Sequence, residues 1–114
     1  MVEQSRRNAA ITKKVLKEID DINRYTTGMA ADDFYADDKT QKAVAMTLIN
    51  IGELSKSYSS DFIESNKSIP WKGIQATRNI AAHKYESFDM QVVWKTIKDD
   101  LPALKNTLEA SQVD

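Results

Sequence analysis

The stretch ITKKVLKEIDDI, Ile11 to Ile22, decides the fold class. Ile11, Val15, Ile19 and Ile22 stand at spacings of four, four and three, which puts them on one stripe of an α-helix. Lys13, Lys14, Lys17, Asp20, Asp21 and Arg24 fill the rest of that helix surface. The period is helical throughout, so a helix is predicted from about Ser5 to Thr27. Gly28 stops it, because glycine takes a positive φ without a Cβ clash.

The same period recurs downstream. Asp38-Lys39-Thr40-Gln41 reads as a capping box that opens a second helix reaching about Ser57. Its stripe is Val44, Leu48, Ile51 and Leu54, widened by Met46, Thr47 and Tyr58. Gly52 inside it costs about 1 kcal/mol against Ala, a loss that suits close approach by another helix. Between these helices Met29 to Asp37 is a connection with a short turn around Asp33-Phe34-Tyr35, and Ser59 to Asn66 forms a short helical turn. Ser68-Ile69-Pro70-Trp71 opens a third helix, with Pro70 where a missing N–H costs little. Asp89 caps a last helix in which Met90, Val93, Ile97, Leu101, Leu104 and Leu108 recur three or four apart. Pro102 should kink or restart it. The expected architecture is all-α: one domain over residues 1–114, an antiparallel up-and-down bundle of four main helices.

Composition narrows the chemistry. The 114 residues include no Cys, which excludes a disulfide framework, a thiolate zinc site and a Cys nucleophile together. A single His excludes a multi-His metal centre within one subunit, so no metal and no cofactor are expected. No apolar run approaches the roughly 20 residues that span a bilayer, and the charged N-terminus is not followed by a signal-type apolar stretch. A cytoplasmic protein with no membrane partner is the expectation. Sixteen Lys and Arg against 17 Asp and Glu give a net charge of −1, which argues against a general nucleic-acid coat but leaves room for a local basic site.

Charge is in fact uneven. Asn66 to Tyr85 contains Lys67, Lys72, Arg78 and Lys84 and no carboxylate, whereas Ala30 to Asp38 contains Asp32, Asp33, Asp37 and Asp38 and no base. The sole His, His83, lies inside the basic stretch. It is the side chain whose ordinary pKa suits proton transfer near neutrality. Taken singly, His83 and Arg78 read more readily as structural or surface residues than as catalytic ones.

Arg78-Asn79, three further residues, then His83-Lys84-Tyr85 resembles the signature of the HEPN superfamily. Further landmarks agree in order: Ile51-Gly52-Glu53, Ile69-Pro70-Trp71, Trp94 and Asp100-Leu101-Pro102-Ala103-Leu104. Over about residues 8 to 108 the chain is similar to the HepT-like branch, toxins partnered by minimal nucleotidyltransferases (MNT). Ala76-Thr77 departs from the pair expected ahead of Arg78, which touches packing and not the motif. The resemblance implies a ribonuclease toxin of a prokaryotic toxin–antitoxin pair: a metal-independent RNA endonuclease, working as a homodimer. It implies His83 in proton transfer, Arg78 on the scissile phosphate and Asn79 positioning one or the other. It also implies AMPylation of Tyr85 by the MNT-type antitoxin. Lys72 and Lys84 are candidates for binding RNA phosphates, and Glu53 is expected in a buried hydrogen bond or ion pair.

Two physical points bear on this. One His does not easily act as base and acid in a single step, and a dimer supplies two. Arg78 and His83 are five apart, roughly 140° around an ideal helix, so either the helix loosens before His83 or the partner's arginine completes the cleft. The alternative reading is a non-catalytic helical module that docks a nucleotidyltransferase. RNA cleavage separates the two.

Overall fold

The computed structural model describes residues 2–75 and 89–111. Every regular element among the described residues is helical. The chain opens with α1 (Val2–Tyr25), then short α2 (Ala31–Tyr35), long α3 (Asp38–Ser55) and short α4 (Ser60–Ser65). Helical backbone resumes over 71–75. After Asp89 come α5 (Met90–Lys95), a π-helical turn (Thr96–Asp100) and α6 (Leu101–Ser111).

The predicted stripe of α1 forms the floor of the core: Ile11, Val15, Ile19 and Ile22 are all buried. Val44, Leu48 and Ile51 of α3 pack on it, and Leu101, Leu104 and Leu108 of α6 close the third side. Asn8 near the start of α1 bonds Ser59 just past α3, so α1 and α3 run antiparallel. Gly28 ends the first turn region at φ +76°, the conformation for which a glycine was expected. The buried hydroxyls of Thr26, Thr47 and Ser55 each donate to the carbonyl four residues back, so none is left unsatisfied. No helix among the described residues is long and apolar enough to cross a membrane.

Several boundaries differ from the sequence reading, each for a local reason. The cap of α3 is Asp37 and not Asp38: its carboxylate accepts from the Thr40 backbone N–H at 3.1 Å and the Thr40 hydroxyl at 2.7 Å. These bonds hold its carboxyl below the usual aspartate range. Gln41, expected to reach back to the cap, instead donates to the carbonyls of Phe34 and Tyr35, both at 2.9 Å, and so ties α2 to α3. The reciprocal arm of a capping box occurs one element earlier, where Asp33 accepts from the backbone N–H of Ala30. Met46 is 59% exposed and does not widen the buried stripe of α3, and Glu53 is exposed rather than buried. Both positions fall on the side of α3 turned away from Val44, Leu48 and Ile51.

Asp89 caps the last helix as expected, accepting from the Gln91 backbone N–H at 2.9 Å. Pro102 does interrupt its regularity. A proline at this position offers no N–H to the carbonyl four residues back and crowds it. The backbone widens by one residue, and Leu101 N–H bonds Thr96, five residues back. Of the third predicted helix, only 71–75 is described, with Pro70 immediately before it and Ile74 buried.

Candidate functional site

Arg78, Asn79, His83, Lys84 and Tyr85 lie outside the described residues, as does the geometric question of how Arg78 stands to His83. Residues 58–75 flank this segment on one side and Asp89 onwards on the other.

Upstream, Tyr58, Phe62 and Trp71 form one aromatic cluster. Tyr58 and Phe62 stack with centroids 4.2 Å apart and planes 7° from parallel. The Trp71 ring meets Tyr58 edge-on at 5.5 Å and Phe62 edge-on at 6.2 Å. Such pairs contribute about 0.5–1.5 kcal/mol each beyond the area they bury. Each outer member also has a polar handle. The Tyr58 hydroxyl shares a buried 2.8 Å hydrogen bond with Thr12 of α1, and the Trp71 indole N–H donates to the Asn66 carbonyl at 3.0 Å. Burial pushes the Tyr58 phenol above its ordinary value, with the Thr12 bond acting against the shift. Asn66 in turn donates to the Phe62 carbonyl at 2.8 Å. Trp71 is thereby tied to α1 through its ring contact with Tyr58 and the Tyr58–Thr12 hydrogen bond.

Downstream, the chain re-emerges at Asp89. Val93 is buried in the core. Trp94 packs on Phe34 of α2 with centroids 5.2 Å apart, and the Lys98 ammonium lies 4.6 Å from the Trp94 ring centre. Phe34 is fully buried and also meets Tyr35 edge-on at 6.3 Å.

Of the sequence-selected cations, Lys72 is described. It is exposed and stands directly after the pinned Trp71. Lys67 is less available than its carboxylate-free neighbourhood suggests: Glu64, just upstream of that stretch, pairs with it at 3.1 Å, both side chains exposed. Of the other bases in the stretch, Arg78 and Lys84 lie outside the described residues. Among the described residues no group of His, Asp and Glu suits a metal ion. The positioning roles of Phe62 and Asn66 were missed from sequence. The four-residue spacing of Tyr58 and Phe62, the second of them in a predicted helical turn, was the available signal.

Comparison with known proteins places this geometry in context. The family model described as "Ribonuclease HepT-like" matches residues 15–111. A Thermococcus cleftensis protein named "Probable ribonuclease HepT" is 38% identical over 95 residues, covering 83% of this chain and 86% of its own length. Two Methanocaldococcus jannaschii proteins, each named "Putative RNase", are also similar. One is 35% identical over 77% of this chain and 73% of its own. The other is 33% identical over 83% of this chain and 87% of its own. No solved structure matches the chain.

Proposed function

The chain belongs to the HepT-like ribonuclease family, and from that premise we propose that it is a metal-independent RNA endonuclease, the toxin of a toxin–antitoxin pair. The observation that carries this reading is the family match across residues 15–111, a span that contains an intact Arg78, Asn79 and His83. A docking module has no need of that triplet.

The chemistry follows from the residue inventory. His83 accepts the proton of a ribose 2′-hydroxyl, and the 2′-oxygen forms a bond to phosphorus as the bond to the 5′-oxygen breaks. A protonated His83 of the second subunit donates to that leaving oxygen. The products are a 2′,3′-cyclic phosphate and a 5′-hydroxyl. Arg78 spreads its fork of donors over the equatorial oxygens, where charge grows in the transition state. Asn79, four residues before His83, positions the imidazole or the phosphate. One histidine per chain is what makes the homodimer the working unit. Lys72 and Lys84 hold flanking phosphates.

Control falls on Tyr85. An MNT-type nucleotidyltransferase transfers AMP from ATP to its hydroxyl, releasing pyrophosphate. The added phosphate then occupies Arg78, Lys84 and His83 and repels the RNA backbone.

The test is cleavage of total RNA with EDTA present, comparing wild type with His83→Ala. Cleavage that survives EDTA, leaves cyclic phosphate ends and vanishes in the variant supports the mechanism. Activity lost with EDTA and restored by Mg²⁺ overturns it. For control, Tyr85→Phe should retain RNase activity and escape silencing by the nucleotidyltransferase with ATP.

A further inference from the structure

The buried stripe of α1 changes character towards the helix start. Continued back from Ile22, Ile19 and Val15, the same steps of three and four residues reach Thr12, Asn8 and Ser5. This register faces into the bundle, and here its side chains are small and polar where the rest of the stripe is branched and apolar. A cleft of about 460 Å³ opens at that place, within the roughly 300–1,000 Å³ of small-ligand sites. Ser5, Asn8, Ala9, Thr12 and Lys13 of α1 line one side of it, Phe62 of α4 another, and Ser111 at the end of α6 a third. Burial deepens along α1, from exposed Ser5 through half-buried Asn8 to fully buried Thr12. The cleft is therefore shallow at Ser5 and deep at Thr12.

Its lining is polar, held in place and only partly used. Asn8 donates to the Ser59 hydroxyl and accepts from the Ser59 N–H, which leaves it one amide N–H and one lone pair. The Ser111 hydroxyl donates to the Leu108 carbonyl and keeps its capacity to accept. Phe62 has one face on Tyr58 and meets Trp71 edge-on, so its ring is oriented before any ligand arrives. Lys13 is exposed and belongs to none of the ion pairs among the described residues. No Asp or Glu is among the described residues that line the cleft. Glu3, Asp61 and Glu109 stand on the same three helices, one or two residues from a lining position, and so roughly 100–200° around the helix from it.

One ammonium, neutral donors and acceptors and one ring suit a ligand with a single anionic group, a hydroxylated middle and a planar ring. We propose that this cleft binds one nucleotide carrying one phosphate, with the phosphate on Lys13, the sugar hydroxyls on Ser5, Asn8 and Ser111, and the base against Phe62. A free mononucleotide and the end nucleotide of an RNA strand share that chemistry. The choice of a nucleotide over other planar anions rests on the ribonuclease reading.

The experiment titrates the full-length protein by calorimetry with free nucleoside monophosphates, and separately with a 5′-phosphorylated 2′-O-methyl tetranucleotide, which offers no 2′-hydroxyl to cleave. Ala9→Leu puts a larger side chain into the cleft from an exposed position of α1. Ala10→Leu makes the same change at the next residue, also exposed and outside the cleft. Wild type should bind at least one probe. Lys13→Gln should weaken that binding about tenfold, the loss expected for a hydrogen bond to a charged group. Ala9→Leu should weaken it at least as much, and Ala10→Leu should leave it unchanged. Binding of the mononucleotides alone makes the occupant a free nucleotide; binding of the tetranucleotide with the same sensitivity to Ala9→Leu makes it a strand end. Binding of neither probe, binding unchanged in Ala9→Leu or in Lys13→Gln, or equal loss in Ala10→Leu overturns the site. Cleavage of total RNA by wild type reports separately on the ribonuclease reading. Cleavage without Ala9-sensitive binding overturns the site alone, and Ala9-sensitive binding without cleavage overturns the ribonuclease reading alone.

Discussion

Upstream of Arg78 the chain is secured by rings that also hydrogen-bond; downstream of Tyr85 it is secured by rings that only pack. Tyr58 and Trp71 each spend a polar atom on a defined partner, Thr12 and the Asn66 carbonyl. Phe34 and Trp94 meet at a 32° tilt, with the Lys98 ammonium over the Trp94 ring. A buried hydrogen bond fixes orientation as well as proximity, because leaving either partner unpaired costs its full desolvation. Apolar contact fixes proximity, and its strength follows the volume filled. Upstream losses should therefore trace to single atoms, downstream losses to volume.

The largest effect is expected from volume. Phe34 is fully buried against Trp94 and anchors α2 beneath the last helix. Phe34→Ala should cost about 3–5 kcal/mol in denaturant unfolding, and Phe34→Leu much less. If the two variants were equally damaging, packing volume would not be what secures the downstream flank.

A single oxygen is the next test. Tyr58→Phe keeps the stacked ring and deletes only the bond to Thr12, whose hydroxyl is itself buried. The loss should be about 1–2 kcal/mol. The same variant has a pH signature. Burial raises the folded pKa of Tyr58, so the fold favours the neutral phenol. Its contribution is complete below the ordinary tyrosine value near 10 and is lost as pH rises through the higher folded value. Wild type should lose stability in that alkaline window, and Tyr58→Phe should flatten the loss. An unaltered alkaline limb would assign it to other groups.

The same contrast explains what the sequence could and could not disclose. The stripes of α1, α3 and α6 were readable because a helical face needs only a period, and Ile11 to Ile22 and Leu101 to Leu108 obey it. Met46 was misassigned because apolar character alone does not fix the side of a helix. The shift of the α3 cap from Asp38 to Asp37 lay between two adjacent aspartates, and only the Thr40 bonds decide between them. Glu53 was expected in a buried hydrogen bond or ion pair, and it is the burial that fails: Gly52 faces inward, and the next residue points about 100° away from it. The motif at Arg78, Asn79 and His83 was visible as types and spacing, since reactive groups are few in a chain with one His and no Cys. The aromatic cluster that leads into it was not, because Tyr58, Phe62 and Trp71 meet only once the turn after α4 has been made.

A smaller effect is expected at the Asp89 cap. Its carboxylate accepts one backbone N–H of α5 from an exposed position. Asp89→Ala should cost about 1 kcal/mol, and Asp89→Ser should recover most of it because serine also caps well. Failure of the serine variant to recover would mean that Asp89 acts by charge and not as a cap.

The smallest effect belongs to Lys98. Its ammonium sits 4.6 Å from the Trp94 ring centre within the π-helical turn before Pro102. An exposed cation over an indole is worth about 0.5–1 kcal/mol. Lys98→Gln removes the charge but keeps much of the stem that covers the ring. The expected loss is about 0.5 kcal/mol, and Lys98→Arg should restore it, because a guanidinium also stacks on an aromatic face. If Lys98→Gln instead lost as much as Tyr58→Phe, the downstream flank would depend on a directional electrostatic contact, and the contrast between the two anchors would fail. If neither variant differed from wild type, Phe34 and Trp94 would be sufficient by packing alone, which is the sharper form of the same contrast.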